Sequence, residues 1–168
     1  MRIKLVLTVV FSFFMLAGYS QDGDVAKKGQ NVSDFVFNIE NNKKIQLSDY
    51  KGKVVFINFF ANWCPPCKLE MPYLEKDVWL KHKDNKNFVM LAFGRGDDLA
   101  KVQQFQKDFK VTFPMYPDTS KAIYNNFATK YTPRNYIIKD GKIIYASTGF
   151  TKSEFDKMVA LLDKLLKK

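Results

Sequence analysis

Two cysteines and one histidine are all that the 168 residues offer in soft metal ligands. That scarcity excludes a structural zinc centre, which takes about four ligands. His82 lies in the lysine-rich run from Lys81 to Lys86 and reads as a solvated surface residue. The cysteines, Cys64 and Cys67, have only Pro65 and Pro66 between them. A loop so small gains little as a staple, because the gain from a cross-link grows with the chain it closes. With staple and metal ligand both poor accounts, a redox pair is left. Past the N-terminus no segment is apolar enough to cross a membrane, and there are no internal repeats or low-complexity blocks. Acidic residues are the minority, 17 against 27 basic, for a net charge of +10. The lysines are scattered rather than set in a stripe with aromatics. That pattern speaks against a nucleic-acid interface. It reads as a soluble basic surface with some attraction for acidic partners or anionic headgroups.

The N-terminus has a layout of its own. "MRIKLVLTVVFSFFMLAGYS" starts basic at Arg2 and Lys4, runs apolar from Leu5 to Ala17, and ends small at Gly18 and Ser20. This is the pattern of a secretory signal peptide cleaved after Ser20. The apolar run is roughly 13 residues, where a membrane span needs about 20. No cysteine follows "LAG" to take a lipid. Export is therefore expected, to a periplasmic or cell-envelope location where disulfides persist. Residues 21–30 read as a flexible leader and 31–168 as one domain, of a size that buries a full core.

Along that domain, "FVFNI" (Phe35 to Ile39) and "IQL" (Ile45 to Leu47) suit a β-hairpin. "VVFINFF", Val54 to Phe60, is broken only by Asn58, and predicts a strand buried on both faces. A helix opens at the cysteines. Pro65 and Pro66 are tolerated in its first turn, and Pro72 should kink it. "FVMLAFG" (Phe88 to Gly94) is a second buried strand. Asp98 can cap a helix whose stripe is Leu99, Val102, Phe105 and Phe109. "FPMYPD" reads as a loop, and Lys121 to Ala128 as a short helix. Asn135 to Ile138 and Lys142 to Ala146 flank Asp140-Gly141 as a hairpin. Thr151 and Glu154 form a capping box for a last helix. The order predicts an α/β fold with a central mixed sheet flanked by helices.

Cys64 falls where a buried strand meets a helix, the place where reactive groups collect in such sheets. A thiolate there feels the positive end of the helix dipole, which lowers its pKa. Cys64 would be the exposed nucleophile and Cys67, a turn further on and more buried, the resolving thiol.

At these residues the chain resembles the thioredoxin superfamily, and within it the exported TlpA/ResA-type thiol–disulfide oxidoreductases. The similarity runs from about Asp34 to the C-terminus through "SDFVFN", "IQLSDYKGKVVFINFFANWCPPCKLEMPYL" and "YTPRNYIIKDGKIIY". It implies a thioredoxin fold with an N-terminal β-hairpin and a βα insertion. The only cofactor implied is the redox-active Cys64–Cys67 disulfide, with no metal. It implies further that Pro133 is cis beside the cysteines, and that the Thr132 backbone pairs with an incoming peptide. Glu70 of "CxxCxxExP" would tune the cysteines and shuttle protons, and Trp63 would pack and touch substrate. Asn58 stands where thioredoxins carry a buried aspartate, so that proton route is absent and Glu70 could replace it.

Pro65 removes an N–H near the Cys64 sulfur. Less thiolate stabilisation points to a reductant rather than an oxidant. Arg134 stands where a small hydroxyl residue is expected. Either it and Lys68 bring positive charge to the cysteines, or it is an outward surface arginine. The expected partners are disulfide-bearing proteins, apocytochrome c among them, and a membrane or exported electron donor, with the protein itself a monomer. Two rivals stay open. One is a peroxiredoxin-like peroxidase, against which Ala61 stands in the place of a threonine or serine. The other is a non-catalytic thioredoxin-fold interaction domain.

Overall fold

The computed structural model describes residues 23–39 and 43–167. The expected signal peptide and the turn around residues 40–42 lie outside them. Among the described residues no helix is long and apolar enough to cross a membrane.

A short hairpin, β1 (Val36–Asn38) and β2 (Lys44–Gln46), precedes the main sheet. The apolar run becomes β3 (Val54–Phe60), with every residue buried. It leads into α1 (Pro65–Tyr73), a π-helical stretch Leu74–Trp79 and a last turn, α2 (Leu80–His82). Then follow β4 (Phe88–Arg95), α3 (Leu99–Phe109), β5 (Met115–Asp118), β6 (Arg134–Lys139), β7 (Lys142–Thr148) and α4 (Lys152–Leu166). The five-stranded sheet has the order β5-β4-β3-β6-β7. β4 is parallel to β3 and β5, whereas β6 is antiparallel to β3 and β7.

Strand parity decides which side chain meets which layer, since neighbours point to opposite faces. On one face Phe56, Phe60, Met90 and Ile137 pack on Met71 of α1, Leu74 of the π-helical stretch, Val102 and Phe105 of α3, and Phe155 and Met158 of α4. On the other, Ile57, Phe59, Phe93 and Tyr136 pack on Phe35, Phe37, Tyr124 and Phe127. Phe59 and Phe93 carry 0% exposure at the centre of the second layer. Burying such a side chain is worth about 1.5–3 kcal/mol.

Several expectations change in the folded chain. Pro72 has no N–H to give the ladder, and the helix beyond it widens to the π-helical stretch, where Leu74 N–H is shared by Glu70 O and Met71 O. "FPMYPD" is not only loop: β5 pairs in parallel with β4 as an edge strand, the position in which Pro117 is tolerated. The segment from Lys121 shortens to a single 3₁₀ turn, Tyr124–Asn126. Asp98 caps α3 by accepting Lys101 N–H at 2.9 Å. Thr151 caps α4, but Glu154 turns to Lys157 instead of closing a box.

His82 is not solvated. It is buried against Phe88, with Nε2 2.8 Å from Asp163 Oδ1, and so fastens α2 to α4. Burial lowers its pKa, against the pull of Asp163. The leader is docked from Gly23 onward. Val25 and Ala26 N–H both donate to Phe127 O, and Gly29 N–H donates to Ile143 O. A polar composition suggested a free segment, but backbone pairing holds this one.

Candidate active site

The C-terminal end of β3 aims the chain at the N-terminus of α1, and Cys64 is the helix N-cap. Cys64 and Cys67 are joined in a disulfide. Cys67 N–H lies 3.3 Å from Cys64 Sγ, and Lys68 N–H donates to Cys64 O. Pro65 and Pro66 fill the first two helical positions and have no N–H to offer. Among the first three helical residues, only Cys67 can donate to the sulfur. Cys64 is less open than expected, at 2% exposure against 0% for Cys67. Its Sγ sits 3.4 Å from Thr132 O, which covers it. In the reduced protein the thiol can donate to that carbonyl.

The Thr132–Pro133 peptide is cis, with Pro133 buried and Thr132 partly exposed. Trp63, beside Cys64, is 64% exposed and is therefore not a packing residue. Tyr131 and Leu69 are also exposed. Lys68 points to solvent.

Beneath the disulfide lies a polar cluster. Parity puts Asn58 and Asn135 on the α1 face of the sheet, directly opposite each other in the β3–β6 register. Asn58 Nδ2 donates to Glu70 Oε2 at 3.1 Å and to Asn135 Oδ1 at 2.8 Å. Asn135 Nδ2 donates to Glu70 Oε1 at 2.6 Å. All three side chains are buried. Cys67 and Glu70, three residues apart, share the buried stripe of α1. Burial drives the Glu70 carboxyl up to about 8, against the downward pull of the bonds from Asn135 and Asn58. Asn58 Oδ1 is buried without a partner. A neutral Glu70 brings the cluster one more donor, its own O–H.

Known proteins resemble this chain over most of its length. The model of the family described as Redoxin matches residues 27–163. The thiol–disulfide oxidoreductase ResA of Bacillus subtilis is 31% identical over 148 residues, 88% of this chain and 82% of the relative. ResA of Bacillus cereus is 32% identical, over 88% and 84%. The chain belongs to the redoxin family, among the ResA-type thiol–disulfide oxidoreductases. This redoxin also superposes on the solution structure of a proposed protein disulfide isomerase from Bacteroides thetaiotaomicron. There the TM-score is 0.82 at 36% identity, covering 87% of this chain and 94% of that one. StoA from Bacillus subtilis, at 21% identity and a TM-score of 0.62 over 76% and 96% of the chains, shares the fold.

Three residues of this redoxin have placements or partners that a reading of the sequence does not give. Asn135 is one; its signal was the strand parity of "RNYII", usable only once the register with β3 is known. Arg134, one residue earlier, has the opposite parity and lies on the far face of the sheet, 1% exposed. It is neither a surface arginine nor a charge beside the cysteines. The third is Asp97, overshadowed in the sequence by the helix cap Asp98. Asp97 Oδ2 accepts Asn62 N–H at 2.9 Å and so fixes the turn that presents Trp63 and Cys64. Asp97 is 2% exposed, and burial raises its pKa. Asp97→Ala leaves that N–H without its partner and should cost about 1–2 kcal/mol. Urea unfolding reads this as a lower midpoint at unchanged slope. Asp97→Asn, which keeps an acceptor, should lose less.

Among the described residues no group of three or more His, Cys, Asp or Glu side chains is placed to hold a metal ion.

Proposed function

We propose that this protein is an exported reductase of disulfides in other proteins. The observation that carries the reading is the N-cap sulfur of Cys64, which has one N–H donor, two prolines beside it and the Thr132 carbonyl above it. A thiolate held by few donors is a poor leaving group, and a poor leaving thiolate makes a reducing pair. The disulfide described above is the spent form.

In the reduced form, the Cys64 thiolate attacks one sulfur of the partner's disulfide. That S–S bond breaks, a mixed disulfide forms on Cys64, and the partner's other sulfur leaves and takes a proton. Cys67 then loses its proton and attacks Cys64 Sγ. The partner's second thiol departs, and two electrons have passed to the partner. Glu70, on the same stripe as Cys67, is the acceptor for the Cys67 proton once it is ionised. Trp63, Thr132 and Pro133 border Cys64 and form the docking wall, where an extended peptide pairs with the Thr132 backbone. Apocytochrome c before haem attachment is the substrate class that the ResA resemblance suggests. A membrane or exported dithiol donor returns the pair to its reduced form. The basic, apolar and small-residue layout of residues 1–20 supports export.

Two measurements test the reading. The reduced protein should reduce insulin disulfides catalytically. Equilibrated against a glutathione or dithiothreitol buffer, the pair should have a potential near about −270 mV and far from about −120 mV. A value above about −180 mV would overturn the reducing direction.

A further inference from the structure

The wall over Cys64 is a short segment with an unusual conformation, and it is held from behind. Tyr131 has φ +67, a left-handed conformation that a side chain rarely adopts. Such a residue keeps its shape only where its surroundings over-determine it. Here two donors converge on its carbonyl: Tyr124 OH at 2.7 Å and Arg134 Nε at 3.3 Å. Arg134 Nε also donates to Lys130 O at 2.8 Å. Arg134 is the largest of the fully buried side chains. A guanidinium does not shed its charge, so one this deeply buried needs an anion.

The anion comes from the leader. Arg134 Nη1 pairs with Asp24 Oδ1. Asp24 is itself fixed, since it bridges to Ala128, and Thr129 N–H donates to Gly23 O at 2.7 Å. Gly23 lets the strand come that close: a Cβ there would meet Lys130 Cβ at 2.8 Å. One continuous path therefore runs from the leader through Asp24 and Arg134 to the carbonyls of Lys130 and Tyr131, and so to Thr132 and Pro133.

We infer that Asp24 and Arg134 are positioning residues for substrate docking: the leader strap sets the Tyr131–Pro133 wall on which a polypeptide substrate lies. This rests on the reductase reading for its substrate. Arg134 touches neither cysteine, and strand parity keeps it on the opposite face of the sheet. Its effect should fall on the docking of long substrates and spare the chemistry of the pair.

The test compares wild type with Asp24→Asn, Asp24→Glu and Arg134→Lys. Insulin and a small aromatic disulfide serve as substrates. Asp24→Asn should raise KM for insulin about tenfold and leave the small-disulfide rate and the reduction potential as in wild type. Asp24→Glu, which keeps the carboxylate, should recover most of that KM. If Asp24→Asn fails to fold, Arg134→Lys decides, because it keeps the ion pair and loses the Nε–H that reaches both carbonyls; it should raise KM in the same way. Amide exchange at Thr129 should quicken at least tenfold in Asp24→Asn, while the amides of β3 and β4 keep wild-type rates. An unchanged KM in both Asp24→Asn and Arg134→Lys would overturn the inference. So would an equal fall in both substrates' rates, or unchanged exchange at Thr129. A wild-type protein that leaves insulin intact would sink the reductase reading alone, and the exchange at Thr129 would then decide this one.

Discussion

Cys64→Ser is expected to lower insulin reduction by roughly a thousandfold or more, equivalent to about 4 kcal/mol of barrier. Cys67→Ser should instead stall as a stable adduct. The two cysteines are alike in chemistry and differ in placement. Cys64 precedes the helix and accepts the Cys67 N–H, so its thiolate feels both a hydrogen bond and the positive end of α1. It also sits against the Thr132 carbonyl, at the wall where a peptide would lie. Cys67 has no exposure and faces the core and the Glu70 cluster. An incoming disulfide can meet Cys64 first. Serine in that place is not ionised near neutral pH and cannot attack. Serine at Cys67 leaves the attack intact and removes the thiol that would resolve the mixed disulfide. Non-reducing electrophoresis followed by mass spectrometry of the trapped adduct checks both statements. Full activity in Cys64→Ser, or adducts formed through Cys67 in preference to Cys64, would reverse the assignment.

The parts of this molecule that could be read before folding share one property: their signal is local. The buried strand Val54–Phe60, the cap at Asp98, the hairpin around Asp140-Gly141 and the helix opened by Cys64 each depend on residues within a few positions of one another. The Cys64–Cys67 pair was legible for the same reason, and the family resemblance placed Glu70 and Pro133 beside it. What stayed hidden depends on register or on a distant partner. Asn135 joins Asn58 only because β6 pairs antiparallel with β3 in one register; a slip by one residue would bring Arg134 to that face instead. Arg134 could be read as a surface arginine or as a charge beside the cysteines, because its anion, Asp24, lies 110 positions away. His82 looked solvated among lysines, yet its partner Asp163 belongs to the last helix. β5 was obscured by Pro117, which an edge position accommodates. Each miss is a long-range pairing between polar or irregular residues, which periodicity does not report.

Glu70→Gln should change both the pH dependence of stability and the pH dependence of catalysis, in opposite senses. The carboxyl is 1% exposed and has its pKa raised by burial to about 8 from an ordinary 4.5. Below about pH 4.5, folded and unfolded chains both hold the proton, so neither is favoured by it. Between about 4.5 and 8 the unfolded chain has released a proton that the fold retains, so folding stability falls as pH rises. Above about 8 both have lost it and the penalty is complete. At 1.36 kcal/mol per unit of pKa, that penalty is on the order of 5 kcal/mol. Glutamine keeps the shape and cannot ionise, but its NH2 replaces one of the two oxygens that accept from Asn58 and Asn135, a cost that does not vary with pH. Urea midpoints at pH 5 and pH 9 should therefore lie closer together in the variant than in wild type. Identical pH trends in the two proteins would refute the burial argument. Catalysis should move the other way. A glutamine can neither take the Cys67 proton nor return it, and positioned proton transfer is typically worth about 10²–10⁴ in rate. Resolution should slow by about 10²-fold, and the pH–rate inflection near 8 should disappear. The cavity behind Glu70, about 10 Å³ and bordered by Asn135, Ser147, Thr151 and Glu154, has room for about one water to carry the proton outward. On the proposed reading, the carboxyl that Asn58 and Asn135 hold, and that destabilises the fold at alkaline pH, is the one that accepts the Cys67 proton there.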